Sequence, residues 1–310
     1  FKVDRSSIRQ GNAVIAIKDV SDAILWSWHV WVTDEDINNV IEITNHQNVK
    51  YNFMPVNLGQ CDGNTITYEE RSCKVKFIAG DQSKEITIKQ LANVIATGSN
   101  APFYQWGRKD PLYPSNGMGN TTKIWYDKEG IPSTANPMKG TFSAGNDCIK
   151  NCILNPNLMH NRYNGDYTYY NLWSADNKTT SANDNPVNKT IYDPCPVGFK
   201  LPASNAFTGF TTTGESVSSS TQVNGTWSSS EKGWYFYTNS EKTQSIFFPA
   251  LGYRSYSTMR PGSIGTQGCF WSAHPVAKGN NYYLRTSSVD VQPTYMVDRG
   301  FGYALRPCQD

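Results

Sequence analysis

An α+β fold of short antiparallel strands, few short helices and long loop insertions is what this 310-residue sequence predicts. Aromatic residues make up 13% of the chain, while the Ala, Leu, Glu and Lys blocks that favour helix are scarce. The last third is a series of short β-favouring runs separated by turn residues, the pattern of an antiparallel sheet. Between the structured runs lie stretches rich in Gly, Pro, Asn, Ser and Thr, which read as loops.

The charge balance narrows the partners. Charged residues are 17% of the chain and the net charge is +2, so the sequence carries no electrostatic footprint for nucleic acid. No basic amphipathic segment suggests a membrane surface, and no apolar run approaches the roughly 20 residues that span a bilayer; direct membrane insertion is not expected. Seven cysteines fit an oxidising compartment, hence export. Residues 1–12 read as the tail of a preceding segment or linker, and 13–310 as one elaborated domain.

Taken in order, Val14–Ile17 and Ile24–Thr33 are the clearest strands, joined by the turn Asp19-Val-Ser-Asp22. In the second, alternation puts Trp26, Trp28, Val30 and Val32 on one face and His29 and Trp31 on the other. Large rings on both faces predict a strand covered on both sides, with His29 a hydrogen-bonded core histidine. Cys61 and Cys73 bracket Asp62-Gly-Asn64, a turn signal, and a hairpin with stapled ends is expected there. Lys84–Ala96 is a mixed pattern, compatible with strand followed by a helical turn. Pro111 ends the ring-rich run from Phe103, and Leu112–Gly145 reads as a loop insertion.

Asp147–Leu154 predicts a short helix with Cys148 and Cys152 four residues apart, either bridged or two unrelated thiols; no second pair completes a zinc set. Asp176–Asn188 and Thr211–Gln222 read as solvated loops. Tyr192-Asp-Pro-Cys-Pro-Val-Gly-Phe-Lys-Leu-Pro202, with three prolines and a glycine among apolar residues, predicts a stiff corner, with Asn205–Phe210 a short helix packed on it. Strands are then expected at 225–229, 233–237, 245–251, 268–273, 282–286, 288–291 and 302–306.

That corner, with Tyr104-Gln-Trp-Gly-Arg-Lys-Asp-Pro111, Asn57-Leu-Gly59 and Gly302-Tyr-Ala-Leu-Arg-Pro-Cys308, resembles the Fibrobacter succinogenes major paralogous domain. The resemblance spans roughly 13–310. It implies a C-type lectin-like fold, as in surface and fimbrial-tip proteins of Bacteroidales, with residues 103–111 in its first helix region. It also implies cell adhesion at the surface or fimbrium of a Gram-negative bacterium, and a last strand that returns beside an early one. Cys308 is then expected to pair with Cys195, leaving Cys269 unpaired.

Catalytic signatures are missing: there is no Gly-x-Ser-x-Gly, His-Glu-x-x-His, phosphate loop or dinucleotide fingerprint. The cysteine pattern of formylglycine-generating enzymes, which share the lectin-like fold, is also absent. Acidic neighbours such as Glu69-Glu70 and Asp34-Glu35-Asp36 read as solvated surface. Gln292-Pro-Thr294 with Asp290 or Asp298 offers too few oxygen ligands for calcium, so no metal or cofactor is expected. What remains is a late-strand surface of rings, amides and guanidinium groups suited to adaptable contacts: Tyr253, Arg254, Tyr256, Arg260, Trp271, His274, Asn280, Tyr282, Arg285, Tyr295 and Arg299. Alternation turns Phe270, Tyr283 and Tyr303 inward. The expected function is a non-catalytic adhesin for a host or microbial protein or glycan. The alternatives are a pilus subunit joined to others by strand exchange, and an enzyme of the formylglycine-generating branch.

Overall fold

The computed structural model describes residues 8, 10–61, 66–95, 101–112, 125–126, 132–133, 141–142, 147–161, 169–176, 178–277 and 279–310. Most of the Leu112–Gly145 insertion and residues 1–7 therefore lie outside the described residues. Strand makes up 42% of the structure and helix 7%, so the fold is all-β and the α+β expectation is overturned. Among the described residues, helical structure is confined to α1 (Cys148–Leu154) and two 3₁₀ segments, Ser204–Phe210 and Ser220–Gln222. The reason is compositional: runs of Val, Ile, Thr and aromatic residues fill pleated surfaces, and among the described residues α1 is the one α-helix.

The stretch 103–111 shows how the helix expectation fails. Phe103, Tyr104, Gln105 and Trp106 are all buried, so rings leave the backbone on opposite sides, as a strand requires and a one-faced helix does not. The chain then reverses at Gly107, φ +84°, where a β-carbon would stand 2.4 Å from Leu172 Cδ1.

Nine small sheets carry the described strands. Near the N-terminus, β1 (Gly11–Lys18) and β2 (Ile24–Val32) form a hairpin whose turn is held by the Asp19 carboxylate accepting from Ser21 and Ala23 N–H. β3 (Ile41–Thr44) and β4 (Lys50–Phe53) belong to a four-stranded sheet completed by β14 (Phe199–Lys200) and β24 (Cys308–Gln309), in the order β14-β24-β4-β3. Cys308 stands opposite Phe53, so the last strand does return to an early one. β5 (Ile66–Tyr68) pairs with β8 (Asn93–Ile95), and β6 (Arg71–Ala79) with β7 (Gln82–Gln90). That hairpin turns at Gly80-Asp81, while the turn expected at Asp62-Gly-Asn64 lies outside the described residues.

Short pairs follow: β10 (Trp125–Tyr126) with β11 (Pro132–Ser133), and β12 (Thr141–Phe142) parallel to β13 (Met159–His160). β9 (Tyr104–Gln105) joins β18 (Tyr253–Arg254), β19 (Pro261–Gly262) and β23 (Gly302–Tyr303). Two three-stranded meanders complete the set: β15 (Gly225–Ser228), β16 (Gly233–Tyr237) and β17 (Ser245–Pro249), then β20 (Gly268–Pro275), β21 (Asn280–Thr286) and β22 (Val291–Asp298).

β20 is buried along its whole length because it forms the wall between two cores. Phe270 faces one, with Phe53, Phe207, Phe210, Phe236 and Phe248. Cys269, Trp271 and Ala273 face the other, with Trp106, Trp173, Leu201, Tyr283 and Tyr303. A strand apolar on both faces is what a two-sided position demands. The expectation of a strand covered on both sides fails in part for β2: Ser27 is buried and Trp26 half-buried, but Leu25 on one face is 54% exposed and Trp28 on the other 48%, so each face is only partly covered.

The corner at 192–202 is confirmed, and it is held by polar groups. The buried Asp193 carboxylate accepts from the N–H of Cys195 (2.8 Å) and Leu201 (3.1 Å), and Lys189 Nζ donates to the carbonyls of Cys195, Pro196 and Phe199. No disulfide joins any of the seven cysteines in this structure. The bridges expected for Cys61–Cys73 and Cys195–Cys308 have no counterpart in this structure, Cys148 and Cys152 take the unbridged of their two readings, and the corner is held by the hydrogen bonds of Asp193 and Lys189.

The last turn of chain is fixed similarly. Arg306 is buried, donates to Asn57 Oδ1 (2.7 Å) and to the carbonyls of Met54, Pro55 and Phe247, and stacks 4.4 Å from the Phe248 ring centroid. Irregular segments have no ladder to satisfy their carbonyls, and one planar guanidinium with five donors satisfies several at once.

Candidate binding face

Late in the chain, alternation on β20, β21 and β23 stacks rings into a continuous seam. Tyr303 is its centre, with ring centroids 4.5 Å from Trp271, 4.6 Å from Tyr283, 5.8 Å from Phe301 and 6.4 Å from Tyr253. Trp271 Nε1 donates to Tyr104 O at 2.8 Å and anchors the base. Burial pushes the Tyr303 phenol well above its ordinary range and raises Tyr283 similarly, so both stay neutral.

The seam reaches solvent at two ends. At one, Tyr283 meets Tyr295 edge to face at 5.7 Å; Tyr295 is 46% exposed and the Arg285 guanidinium lies 5.9 Å from its centroid. Asp290 accepts from Arg285 at 3.4 Å, which holds the cation over the ring. At the other end Phe301 meets Tyr253 at 5.5 Å and Tyr256 at 4.9 Å, all three half-buried, with exposed Arg260 on the adjoining turn. Rigid rings with accessible edges, each end beside an arginine, form a surface suited to stacking on sugars or on protein side chains.

Half of the residues singled out from sequence are structural. Trp271, His274, Arg254, Tyr282 and Arg299 are buried, which corrects their assignment to a binding surface. His274 Nδ1 accepts from Ser204 N–H at 3.3 Å, and burial lowers its pKa to about 4, so it is neutral. Arg299 donates to Tyr169 O at 2.7 Å and sits 4.2 Å from the Trp106 centroid. Arg254 donates to Met259 O at 2.7 Å, and Tyr282 OH to Thr180 O at 3.2 Å. Trp271 and His274 lie on β20, which is buried along its whole length, and Arg299 lies in the turn just past β22.

Tyr253, Tyr256, Asn280 and Arg285 are half-buried and Arg260 is exposed. The structure brings Tyr253 and Tyr256 together and sets Arg285 against Tyr295. Phe301 was missed from sequence. The turn Asp298-Arg-Gly300, which closes on itself through Gly300 N–H donating to Asp298 Oδ1 at 2.8 Å, was the signal that could have placed it at a loop end.

A second feature lies where α1 packs near β2. A cleft with about 350 Å³ of empty volume, counted out to solvent, is lined by Trp106, Arg108, Lys109, Asp110, Cys148 and Cys152 among others. Lys109 Nζ donates to Ser27 O (2.8 Å), Ser27 Oγ (2.5 Å) and Asp110 Oδ2 (2.6 Å), and the Ser27 hydroxyl donates to Asp110. Burial lowers the Lys109 pKa and the adjoining Asp110 raises it again. With Ser27 buried and its proton directed at a carboxylate, this contact is a closed knot that ties β2 to the 104–111 turn.

No family model matches the chain, and no curated protein or solved structure is significantly similar to it. Among the described residues, no helix is long and apolar enough to cross a membrane.

Proposed function

We propose that this chain is a non-catalytic binding domain that recognises a protein or glycan through the two open ends of its aromatic seam. The observation that carries the reading is the continuity of the rings: Tyr253, Tyr256 and Phe301 at one end and Tyr295 with Arg285 at the other are backed by buried Tyr303, Tyr283 and Trp271. Contacts presented by rigid elements lose little freedom on binding. Display at a bacterial surface or fimbrial tip rests on the resemblance of the corner and its companion motifs alone.

The test is binding of the purified domain to a glycan array and to extracellular-matrix proteins, with and without chelator. Tyr253→Ala, Tyr256→Ala and Tyr295→Ala together should abolish specific, chelator-insensitive binding while the melting profile stays near wild type. Trp271 and Arg254 are unsuitable for this test because their removal opens the core. Retained binding in the triple variant would refute the seam.

A second reading has its own observation. Val14, Ile17, Leu25 and Trp28 are exposed on the β1–β2 hairpin, and β2 is the only described strand paired with β1. An edge with exposed apolar side chains is suited to accepting a strand from another subunit. A Val14→Lys, Ile17→Lys variant that still bound ligand but no longer co-assembled with other subunits would favour that reading.

A further inference from the structure

The outer face of the β15–β17 meander carries rings that neither the two cores nor the aromatic seam uses. Trp234 and Phe236 belong to the core, so alternation turns Tyr235 and Tyr237 outward. Phe247 stands directly opposite Tyr235 on β17 and shares their face. All three are half-buried, and the Tyr235 and Phe247 ring centroids are 4.7 Å apart. Gly233 makes room for this arrangement. A β-carbon there would stand 2.6 Å from Phe247 Cζ, so the Phe247 ring leans over bare backbone that any other residue would occupy.

Hydroxyl groups are pinned at the margin of these rings. Tyr235 OH donates to the two Glu231 carboxylate oxygens at 2.8 and 2.9 Å, and Ser228 Oγ donates to the same carboxylate at 3.0 Å. Tyr237 OH and Thr226 Oγ1 share a hydrogen bond at 2.6 Å. A hydroxyl that donates its proton keeps lone pairs that can accept, and rings held in place lose little freedom on binding.

Size and charge choose the occupant. Strands of four or five residues, rising about 3.3 Å per residue and spaced about 4.8 Å, make a face of roughly 15 by 10 Å. A stable protein partner needs about 800 Å² a side, several times that area. One acid, Glu231, and one cation, Lys242 at 5.6 Å from the Tyr237 centroid, touch the rings, and their charges cancel. A neutral sugar ring suits such a face: its C–H groups lie against the negative faces of aromatic rings while its hydroxyls meet the polar margin.

We propose that Tyr235, Tyr237 and Phe247 form a second platform, separate from the seam, that binds a short stretch of a neutral glycan chain by stacking. The platform needs no metal, and its occupancy does not depend on the seam.

Cellopentaose, mannopentaose and xylopentaose, each titrated into the purified chain by isothermal calorimetry, test this. At least one should bind, with affinity lower by about tenfold or more in Phe247→Thr and in Tyr235→Thr. The seam variant Tyr253→Ala, Tyr256→Ala, Tyr295→Ala should bind that sugar as wild type does. Should the platform variants fail to fold, hydroxyl-radical footprinting of wild type decides: the sugar should protect Tyr235, Tyr237 and Phe247 and leave Tyr253 and Tyr295 as reactive as before. Undiminished binding in folded platform variants, loss of binding in the seam variant, protection at Tyr253 and Tyr295 instead, or no binding of any of the three sugars would overturn the proposal.

Discussion

The β6–β7 hairpin and the β20–β22 meander are built from similar alternating runs, yet one is open to water and the other is the wall between two cores. In the hairpin, register places Cys73, Val75 and Phe77 on a face with Ile86 and Ile88. Val75 is buried, but Phe77 is 48% exposed, Ile86 and Ile88 are nearly as open, and Ile78 on the reverse face is 69% exposed. In the meander every residue of β20 is buried. Alternation decides which side a residue faces; what the rest of the chain lays over that side decides its energy.

The comparison predicts very different costs for substitutions on the two sides. The largest is at Arg306, which clamps the terminal run against Asn57, Met54, Pro55 and Phe247. Arg306→Ala strands several buried acceptors and should cost about 3 kcal/mol or more in urea denaturation, with Arg306→Lys recovering part of it. A loss under about 1 kcal/mol would show that the clamp is redundant.

Next in size is acid sensitivity. Burial lowers the pKa of His274 and His29 to about 4 and of His160 to about 3. The unfolded chain takes up these protons below about pH 6.5 while the folded body resists, so their stabilisation is complete above that pH. It should be lost progressively as pH falls towards 4, by on the order of 2 kcal/mol for His274 alone. His274→Gln, compared by urea midpoints across pH, should flatten the curve; an unchanged slope would mean that His274 is solvated.

The smallest effect belongs to the open hairpin. Phe77→Ser or Ile86→Thr should cost less than about 1 kcal/mol, since much of each side chain already faces water. A cost as large as that of a core truncation would show that something covers this face and would remove the contrast between the two regions.

Much of the strand order was legible from sequence. Gly233–Tyr237 coincides with β16, and the runs at 225, 245 and 268 begin where β15, β17 and β20 begin. The helix at Asp147–Leu154 was legible too. The β6–β7 hairpin was not: its two-residue Gly80-Asp81 turn between alternating runs is a hairpin signal, but the Asp62-Gly-Asn64 turn bracketed by Cys61 and Cys73 is the stronger one in composition. In the candidate site, Tyr253, Tyr256, Arg285 and Tyr295 could be chosen by residue type. Trp271, His274 and Arg299 could not be told from them, because their burial comes from residues far away in sequence: Tyr104 over Trp271, Ser204 on His274, Tyr169 on Arg299.

Native-state amide hydrogen exchange tests the contrast most directly. Amides of β20 and β21 should exchange only through global unfolding, whereas those of β6 and β7 should exchange by local opening, at rates higher by at least two orders of magnitude. Equal protection of the hairpin and the meander would contradict the account.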